Sequence, residues 1–238
     1  MLVAAAVCPC PPLLVAEVAA GAAPELAAAR AACTDALGVL AAARPDRLVV
    51  VGPGNGSGPE PFPEGTRGSF HGFGVDLDVR LGADRGTGAG PALPYGLAVG
   101  AWLLERTGWA DAPLEGLAVG EEASPERCAG LGRDLATRAD RVALLVLGDG
   151  SACRTLKAPG YLDERAAAFD AGAAQALGTA DARALEALDA DLARELKVTG
   201  RAPWQVLAGA SAGGTARDGA LLYEDAPYGV GYMVATWS

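Results

Sequence analysis

Three short runs of uniformly apolar residues constrain the fold of this chain more than any other feature. They read LVAAAV (2–7), LVVV (48–51, after Arg47) and VALLVLG (142–148, after Arg141). Continuous apolar runs of this length are typical of strands buried on both faces of a parallel sheet. Between the first two, residues 24–43 repeat apolar side chains at three- and four-residue steps, as an amphipathic helix does. We therefore expect a three-layer α/β/α sandwich with a mostly parallel central sheet, as one domain over 1–238.

Weaker patterns predict further elements. Strict alternation in GVDLDVRLG (74–82) predicts a half-exposed strand. Residues 161–177 and 181–196 each predict one continuous helix. Ser124 followed by proline predicts the start of another helix, and VGYMVATW (230–237) predicts a closing strand.

Charge and composition exclude several classes of partner. The chain has 29 acidic and 19 basic residues and a formal net charge of -10. An acidic surface repels phosphate backbones, so we expect no direct nucleic-acid binding. No apolar run approaches the roughly 20 residues that span a bilayer, and the amino terminus lacks the basic region of a signal peptide. Five cysteines without framework spacing indicate reduced thiols, and we expect a cytoplasmic protein without a membrane partner.

The glycine-rich stretch after the second apolar run, GPGNGSGPEPFP (52–63), is the first candidate for a binding loop. Its glycines match neither G-x-G-x-x-G nor the P-loop pattern. Prolines at 59, 61 and 63 also prevent a helix from starting where a phosphate would bind. We interpret the stretch as an irregular loop at the carboxyl end of a strand, where open α/β sheets bind ligands.

Four segments, taken together and in order, resemble the class III extradiol dioxygenase superfamily, including its Memo-like members. The segment PCPPLLV (9–15) is similar to the family's Pro-His-Pro-Pro-Leu-Leu, and RPDRLVVVGPGN (44–55) to its Pro-Asp-x-Leu-Val-Val-x-Ser-Pro-His-Gly. VLGDGSA (146–152) resembles Gly-Asp-x-Ser-His, and YEDAPYGVGYMVA (223–235) resembles the closing segment. The resemblance implies this family's fold and an oxidoreductase ancestry.

The resemblance also implies an Fe(II) cofactor that these residues cannot hold. The family binds Fe(II) with two histidines and a carboxylate, and uses a third histidine as acid and base. The matching positions are Cys10, Gly54 and Ala152, and Glu224 matches the metal carboxylate. The chain's single histidine, His71, matches none of them. We therefore expect the metal site to be lost, with the glycine loop as its remnant, and the cofactor stays unknown.

Three residues are candidates for catalysis. Cys10 is a possible functional thiol or, together with Glu224, a ligand of a different metal. The interpretation that we favour is that Cys10, like Cys8, is a small buried apolar residue. Asp149 and Ser151 follow the third apolar run, where strand ends face the pocket. Asp149 is either a pocket carboxylate or part of a turn, and Ser151 is a hydrogen-bonding group rather than a nucleophile.

Four further residues are candidates for substrate binding. Asn55 offers an amide or tolerates a left-handed turn. Arg154 could attract an anionic substrate, or lie in solvent. Tyr223 and Tyr228 could stack on an aromatic ligand, or pack against the last strand.

Three functions follow as hypotheses. The first is a divergent pseudoenzyme with a small-molecule pocket and no ring-cleaving activity. The second is an enzyme with a centre rebuilt around Cys10, Asp149 and Glu224, using a metal or a thiol. The third is a non-catalytic homodimer or subunit of a heteromeric complex.

Overall fold

A computed structural model describes residues 1–56, 58–86, 90–214 and 217–238. The described strands form a seven-stranded sheet and a small two-stranded hairpin. They are β1 (Leu2–Cys8), β2 (Arg47–Gly54), β3 (Glu60–Pro63), β4 (Arg67–Ser69), β5 (Asp78–Arg80), β6 (Leu114–Gly120), β7 (Val142–Leu147), β8 (Gly219–Asp225) and β9 (Tyr232–Trp237).

Helices connect most of these strands. They are α1 (Ala16–Ala19), α2 (Ala27–Ala42), α3 (Tyr95–Thr107), α4 (Pro125–Ala136), α5 (Ala166–Gly178), α6 (Ala182–Glu186), α7 (Ala190–Glu195) and α8 (Arg201–Ser211). Helices α2 and α3 cover one face of the main sheet, and α4, α5 and α8 cover the other. The expected α/β sandwich with a mostly parallel sheet is confirmed.

The main sheet has the strand order β3-β6-β2-β7-β1-β9-β8. Its four central strands, β6, β2, β7 and β1, are parallel, and the three outer strands pair antiparallel. The three apolar runs thus lie side by side, with β7 between β2 and β1, where both faces are buried. That position explains why they carry no polar alternation. The carboxyl ends of the four parallel strands meet at one edge of the sheet.

The predicted strand over 74–82 is shorter than its pattern. Only Asp78–Arg80 pairs, because its partner β4 offers three residues, and Leu77 instead accepts a loop hydrogen bond from the amide of Phe70. Val79 is buried, whereas Val75 is only half-buried. The alternation of apolar and polar residues indicates which side chains face inward, but it does not predict how many residues pair with β4.

Both predicted helices after β7 were wrong in extent. The first starts at Ala166 rather than 161, because Tyr161 has a φ of +64° and cannot lie in a right-handed helix. The second is split into α6 and α7. Asp189 breaks it, since its carboxylate accepts from the amides of Asp191 and Leu192 and caps a new helix. Ser124 caps α4 as predicted, accepting from the amide of Arg127.

Among the helices within the described ranges, none is long and apolar enough to cross a bilayer.

Candidate functional site

A cavity of about 480 Å³ opens at the carboxyl ends of β2 and β6. It is lined by Pro53, Gly54, Asn55, Gly56, Tyr95, Glu121, Glu122 and Thr199. A cavity of about 530 Å³ lies near the amino end of β1, between α4 and α8. The carboxyl-end cavity is the stronger candidate, because ligands of open α/β sheets bind outside the carboxyl ends of the strands.

Asp149 lies beside this cavity and is hydrogen-bonded to the segment after β1 and to the residues that precede α8. Its Oδ1 accepts a 2.8 Å hydrogen bond from the amide of Cys10. Its own amide donates at 2.9 Å to Oγ1 of Thr199, and its carbonyl accepts from the amide of Gly200. The end of β7 is therefore tied to the segment after β1 and to the start of α8.

Burial changes the protonation of this group of residues. The Asp149 carboxyl is only 8% exposed, and burial raises its pKa to about 7, against the lowering effect of the Cys10 amide. Burial, and then the Asp149 charge, raise the pKa of the Cys10 thiol well above its usual value. The pKa values of Tyr95 and Tyr232 are also raised, first by burial. Near neutral pH the cluster therefore offers one titrating group, Asp149.

Tyr95 connects Asp149 to the cavity. This residue opens α3, is half-buried, and lines the cavity with Thr199. A side-chain hydrogen bond with Thr199 partly offsets the rise in the pKa of Tyr95. Thr199 thus both contacts Asp149 and lines the cavity with Tyr95, so this part of the lining adjoins Asp149.

Cys10 and Cys8 occupy different surroundings on the same face of the sheet. The Cys10 thiol is fully buried, close to Gly96 at the start of α3. Cys8 lies near Cys33 of α2, and the interaction of the two thiols, followed by burial, raises the pKa of Cys33. A buried thiol with a raised pKa is a poor nucleophile, so these contacts favour the reading of Cys10 as a small buried residue.

Ser151 has a structural partner that the sequence did not suggest. Asp170 of α5 is fully buried and accepts from both the Ser151 amide and its hydroxyl, each at 2.8 Å. Arg154 also donates to this carboxylate, at 3.0 Å, and forms an ion pair with it. These contacts favour a loop-holding role for Ser151 and give Arg154 a partner other than an anionic substrate.

The remaining predicted residues lie on or beside β8, apart from Asn55. Glu224 is exposed and lines a separate, third cavity with Arg154 and Asp225 rather than with Cys10. Tyr228 donates to Glu25 at 2.8 Å, and Tyr223 packs against the core beside α2. Of the predicted site residues, Cys10 contacts Asp149, and Ser151 and Arg154 share the carboxylate of Asp170. Asn55 lines the main cavity.

The positions that would hold Fe(II) do not fit that metal. A Cβ at Gly54 would lie 2.9 Å from the Cβ of Ala118, so a histidine has no room there without a shift of β6. Ala152 is buried and its amide donates to the carbonyl of Leu196. His71 lies in the β4–β5 hairpin, where its Nε2 is 3.0 Å from Asp76. Within the described parts of the chain, no three His, Cys, Asp or Glu side chains are arranged to hold a metal.

The cavity mouth carries two carboxylates. Glu121 and Glu122 directly follow β6 and are exposed, and no salt bridge to either is found among residues that the structure describes. The backbone of the loop that carries them is hydrogen-bonded to a buried arginine. Arg201, only 2% exposed, donates to the carbonyls of Glu121 and Ala123 and to the side chain of Gln205.

Sequence reasoning missed Tyr95, Thr199, Glu121 and Glu122. Asn55 and Asp149 were selected because each is a polar residue just after a parallel strand. The same rule selects Glu121 and Glu122, which directly follow β6. Tyr95 and Thr199 lie next to helix starts and carry no local signal.

Comparisons with known proteins bear on the fold. No family model matches the chain, and no curated protein matches its sequence. Among solved structures, it is similar to the uncharacterized protein JW3007 from Escherichia coli K12, with a TM-score of 0.60, 15% identity and 99% of each chain covered. At that identity the likeness shows the fold alone.

Proposed function

We propose that this protein is a divergent class III extradiol dioxygenase-like protein that binds a small molecule and does not cleave aromatic rings. The carboxyl-end cavity carries the proposal, because Asn55, Tyr95 and Thr199 converge there with two carboxylates. A concave site with a few convergent polar groups and a perturbed carboxyl behind it is the usual form of a ligand site.

The loss of ring cleavage is supported by the residues at the three histidine positions. Cys10 is enclosed in the core, and Gly54 has no space for a side chain. The methyl group of Ala152 cannot act as an acid or a base. Catechol cleavage in this family needs a metal centre with open positions and an acid–base histidine. None of the three positions supplies either.

Charge indicates the kind of ligand. Among the described residues that line the cavity, Glu121 and Glu122 are acidic and none is basic. Arg154, which the sequence offered as an attraction for anions, is paired with Asp170. The cavity therefore favours a neutral polar or positively charged molecule over an anionic one.

Titrations followed by 15N–1H NMR test this proposal on the full-length protein. The probes are putrescine, catechol and protocatechuate, which are cationic, neutral and anionic. We expect putrescine or catechol to move the amide signals of Tyr95, Glu121 and Thr199. Glu122→Gln should weaken the putrescine shifts several-fold, and the exposed control Glu17→Gln should not. If no probe moves these amide signals, or if other signals move instead, the cavity is not the binding site. If only protocatechuate moves them, the proposed preference for neutral or cationic ligands is wrong.

Ring cleavage needs its own assay. The protein, loaded anaerobically with Fe(II), is mixed with catechol or protocatechuate in air, and ring-opened product is measured by absorbance. We expect no product above the rate of free Fe(II). Turnover well above that background would overturn the loss of activity.

Acid–base catalysis beside the same cavity is a second candidate function. The observation that favours it is Asp149, which adjoins the lining at Thr199. A carboxyl with a pKa of about 7 is well placed to give and take protons near neutral pH. With any ligand that turns over, the rate should then titrate near pH 7, and Asp149→Asn should remove that titration. A rate that keeps the same pH profile in the variant would exclude the role.

A further inference from the structure

Asn55 is the chain's single asparagine, and glycine follows it directly. In an Asn-Gly pair the asparagine side chain is readily attacked by the next backbone nitrogen, because glycine has no Cβ to obstruct the approach. The attack is intramolecular, so the two reacting groups are always close together. In a folded protein it depends on whether the fold leaves the glycine amide and the side chain accessible.

The Gly56 amide lies just beyond the regular hydrogen bonding of the sheet. The strand β2 ends at Gly54, whose pairing with Gly120 is the last between β2 and β6. Asn55 and Gly56 are both exposed, and within the described ranges no hydrogen bond of the Gly56 amide is found. A Cβ at Gly56 would lie 3.8 Å from its nearest neighbour, the carbonyl oxygen of Gly58. None of these contacts keeps the Gly56 nitrogen from the Asn55 side chain.

The Asp149–Gly150 pair shows the opposite arrangement. An aspartate before glycine can undergo the same attack, but more slowly. Here the carboxyl is buried and bonded to the Cys10 amide, and the Gly150 amide donates to the carbonyl of Gly231 at 2.7 Å. An amide held in this way cannot turn toward the preceding side chain, so we expect Asp149 to stay intact.

We propose that Asn55 is a site of spontaneous deamidation, through a cyclic imide (a succinimide) formed with the backbone of Gly56. The Gly56 nitrogen loses its proton and forms a bond to Cγ of Asn55, the bond from Cγ to Nδ2 breaks, and ammonia leaves. Water then adds to either carbonyl of the ring and breaks its bond to nitrogen, which gives aspartate or isoaspartate. One amide becomes one carboxyl, no electrons are transferred, and water is the only co-reactant.

This conversion changes the charge of the cavity. Asn55 lines the cavity together with Glu121 and Glu122. The product places a further carboxylate beside these two and adds one negative charge to the chain's net charge of -10. Its effect on ligands rests on the proposed function: if the cavity attracts cations, the deamidated form should bind them more tightly.

Intact-mass spectrometry of the full-length protein tests the modification. The folded protein is incubated at mildly alkaline pH, which favours the attack because the Gly56 nitrogen must lose its proton. We expect the mass to rise by the difference between an amide and a carboxyl, and peptide maps to place aspartate and isoaspartate at position 55. Gly56→Ala should slow the conversion by about tenfold or more, the effect of about 1.4 kcal/mol on the barrier. Asn55→Gln, which would need a larger ring, is the control and should keep its mass.

Three results would overturn the site. If the folded protein keeps its mass while the urea-unfolded chain converts, the fold protects Asn55. If Gly56→Ala converts as fast as the wild type, the backbone of Gly56 does not take part. If the peptide maps place the change at Gln175 or Gln205, the modification lies elsewhere.

Asn55→Asp carries the charge of the product and separates the modification from its effect on binding. In the NMR titration it should bind putrescine several-fold more tightly than the wild type. Equal affinity would overturn the charge effect, and a lack of putrescine binding to both forms would count against a cation-binding cavity. The mass spectra decide the deamidation in either case.

Discussion

The amide of Cys10 donates a 2.8 Å hydrogen bond to Oδ1 of Asp149, across 139 residues of chain. It joins the segment after β1 to the end of β7 beside the cavity. Because this bond favours the ionised carboxylate while burial favours the neutral acid, the pKa of about 7 shows that burial dominates. Two of the three residues predicted as candidates for catalysis are therefore in direct contact.

Asp149 should make stability depend on pH. Its pKa is about 7 in the fold against an ordinary 3.8, so its contribution is complete below about pH 4 and is lost as pH rises through 7. Between pH 5 and 8 the wild type should lose about 2 to 4 kcal/mol relative to Asp149→Asn, which has no carboxyl to ionise. Urea unfolding at several pH values measures this difference. Parallel curves for wild type and Asp149→Asn would refute the shift.

Ser151 and Asp170 should be coupled in stability. Ser151→Ala removes a hydrogen bond to a buried carboxylate and should cost about 2 kcal/mol of unfolding free energy. Asp170→Asn should cost about 3 kcal/mol, because Arg154 and the Ser151 groups lose their charged acceptor. The double variant should lose less than the sum, by at least about 0.5 kcal/mol. Ser211→Ala, which loses only a bond to a helix carbonyl, is the control; strict additivity of the first pair would contradict the contact.

The sequence predicted the central sheet because burial on both faces leaves a pattern that needs no tertiary information. The runs that became β1, β2 and β7 are apolar throughout, apart from the arginine that precedes two of them, and such runs are typical of central strands. Asn55 and Asp149 were found for a related reason, since a polar residue after such a strand lies at the ligand edge.

What the sequence could not predict depends on contacts between distant segments. The hydroxyl of Thr199 reaches Asp149 only because Gly148 lets α8 approach: a Cβ there would lie 2.3 Å from the Cα of Gly200. Asp170 lies in an alanine-rich helix pattern that gives no sign of its bonds to Ser151. Where local turn chemistry competes with periodicity, as at Asp189, the carboxylate cap decides the structure.

A histidine introduced at Gly54 should not create an iron site. Gly54→Ala should cost about 1 to 3 kcal/mol, because its Cβ would lie 2.9 Å from the rigid Ala118 side chain. Gly56→Ala is the matched control; its nearest neighbour would be 3.8 Å away, so the change should stay within about 0.5 kcal/mol. The double variant Cys10→His/Gly54→His should bind Fe(II) in less than stoichiometric amounts by elemental analysis. Equal stability of the two alanine variants, or one tightly held iron per double-variant chain, would show that β6 can move.

Arg201 should hold the mouth of the cavity in place. Its buried guanidinium donates to the carbonyls of Glu121 and Ala123, so Arg201→Met leaves these acceptors unpaired and should cost about 3 kcal/mol. Because Glu121 and Ala123 lose this support, amide exchange over residues 121–124 should rise more than in the core of β6. Hydrogen exchange followed by mass spectrometry gives the local readout, with the exposed Arg127→Met as control. A uniform rise across the chain would indicate general destabilisation, and protection retained at 121–124 would mean that the loop keeps its shape without the guanidinium.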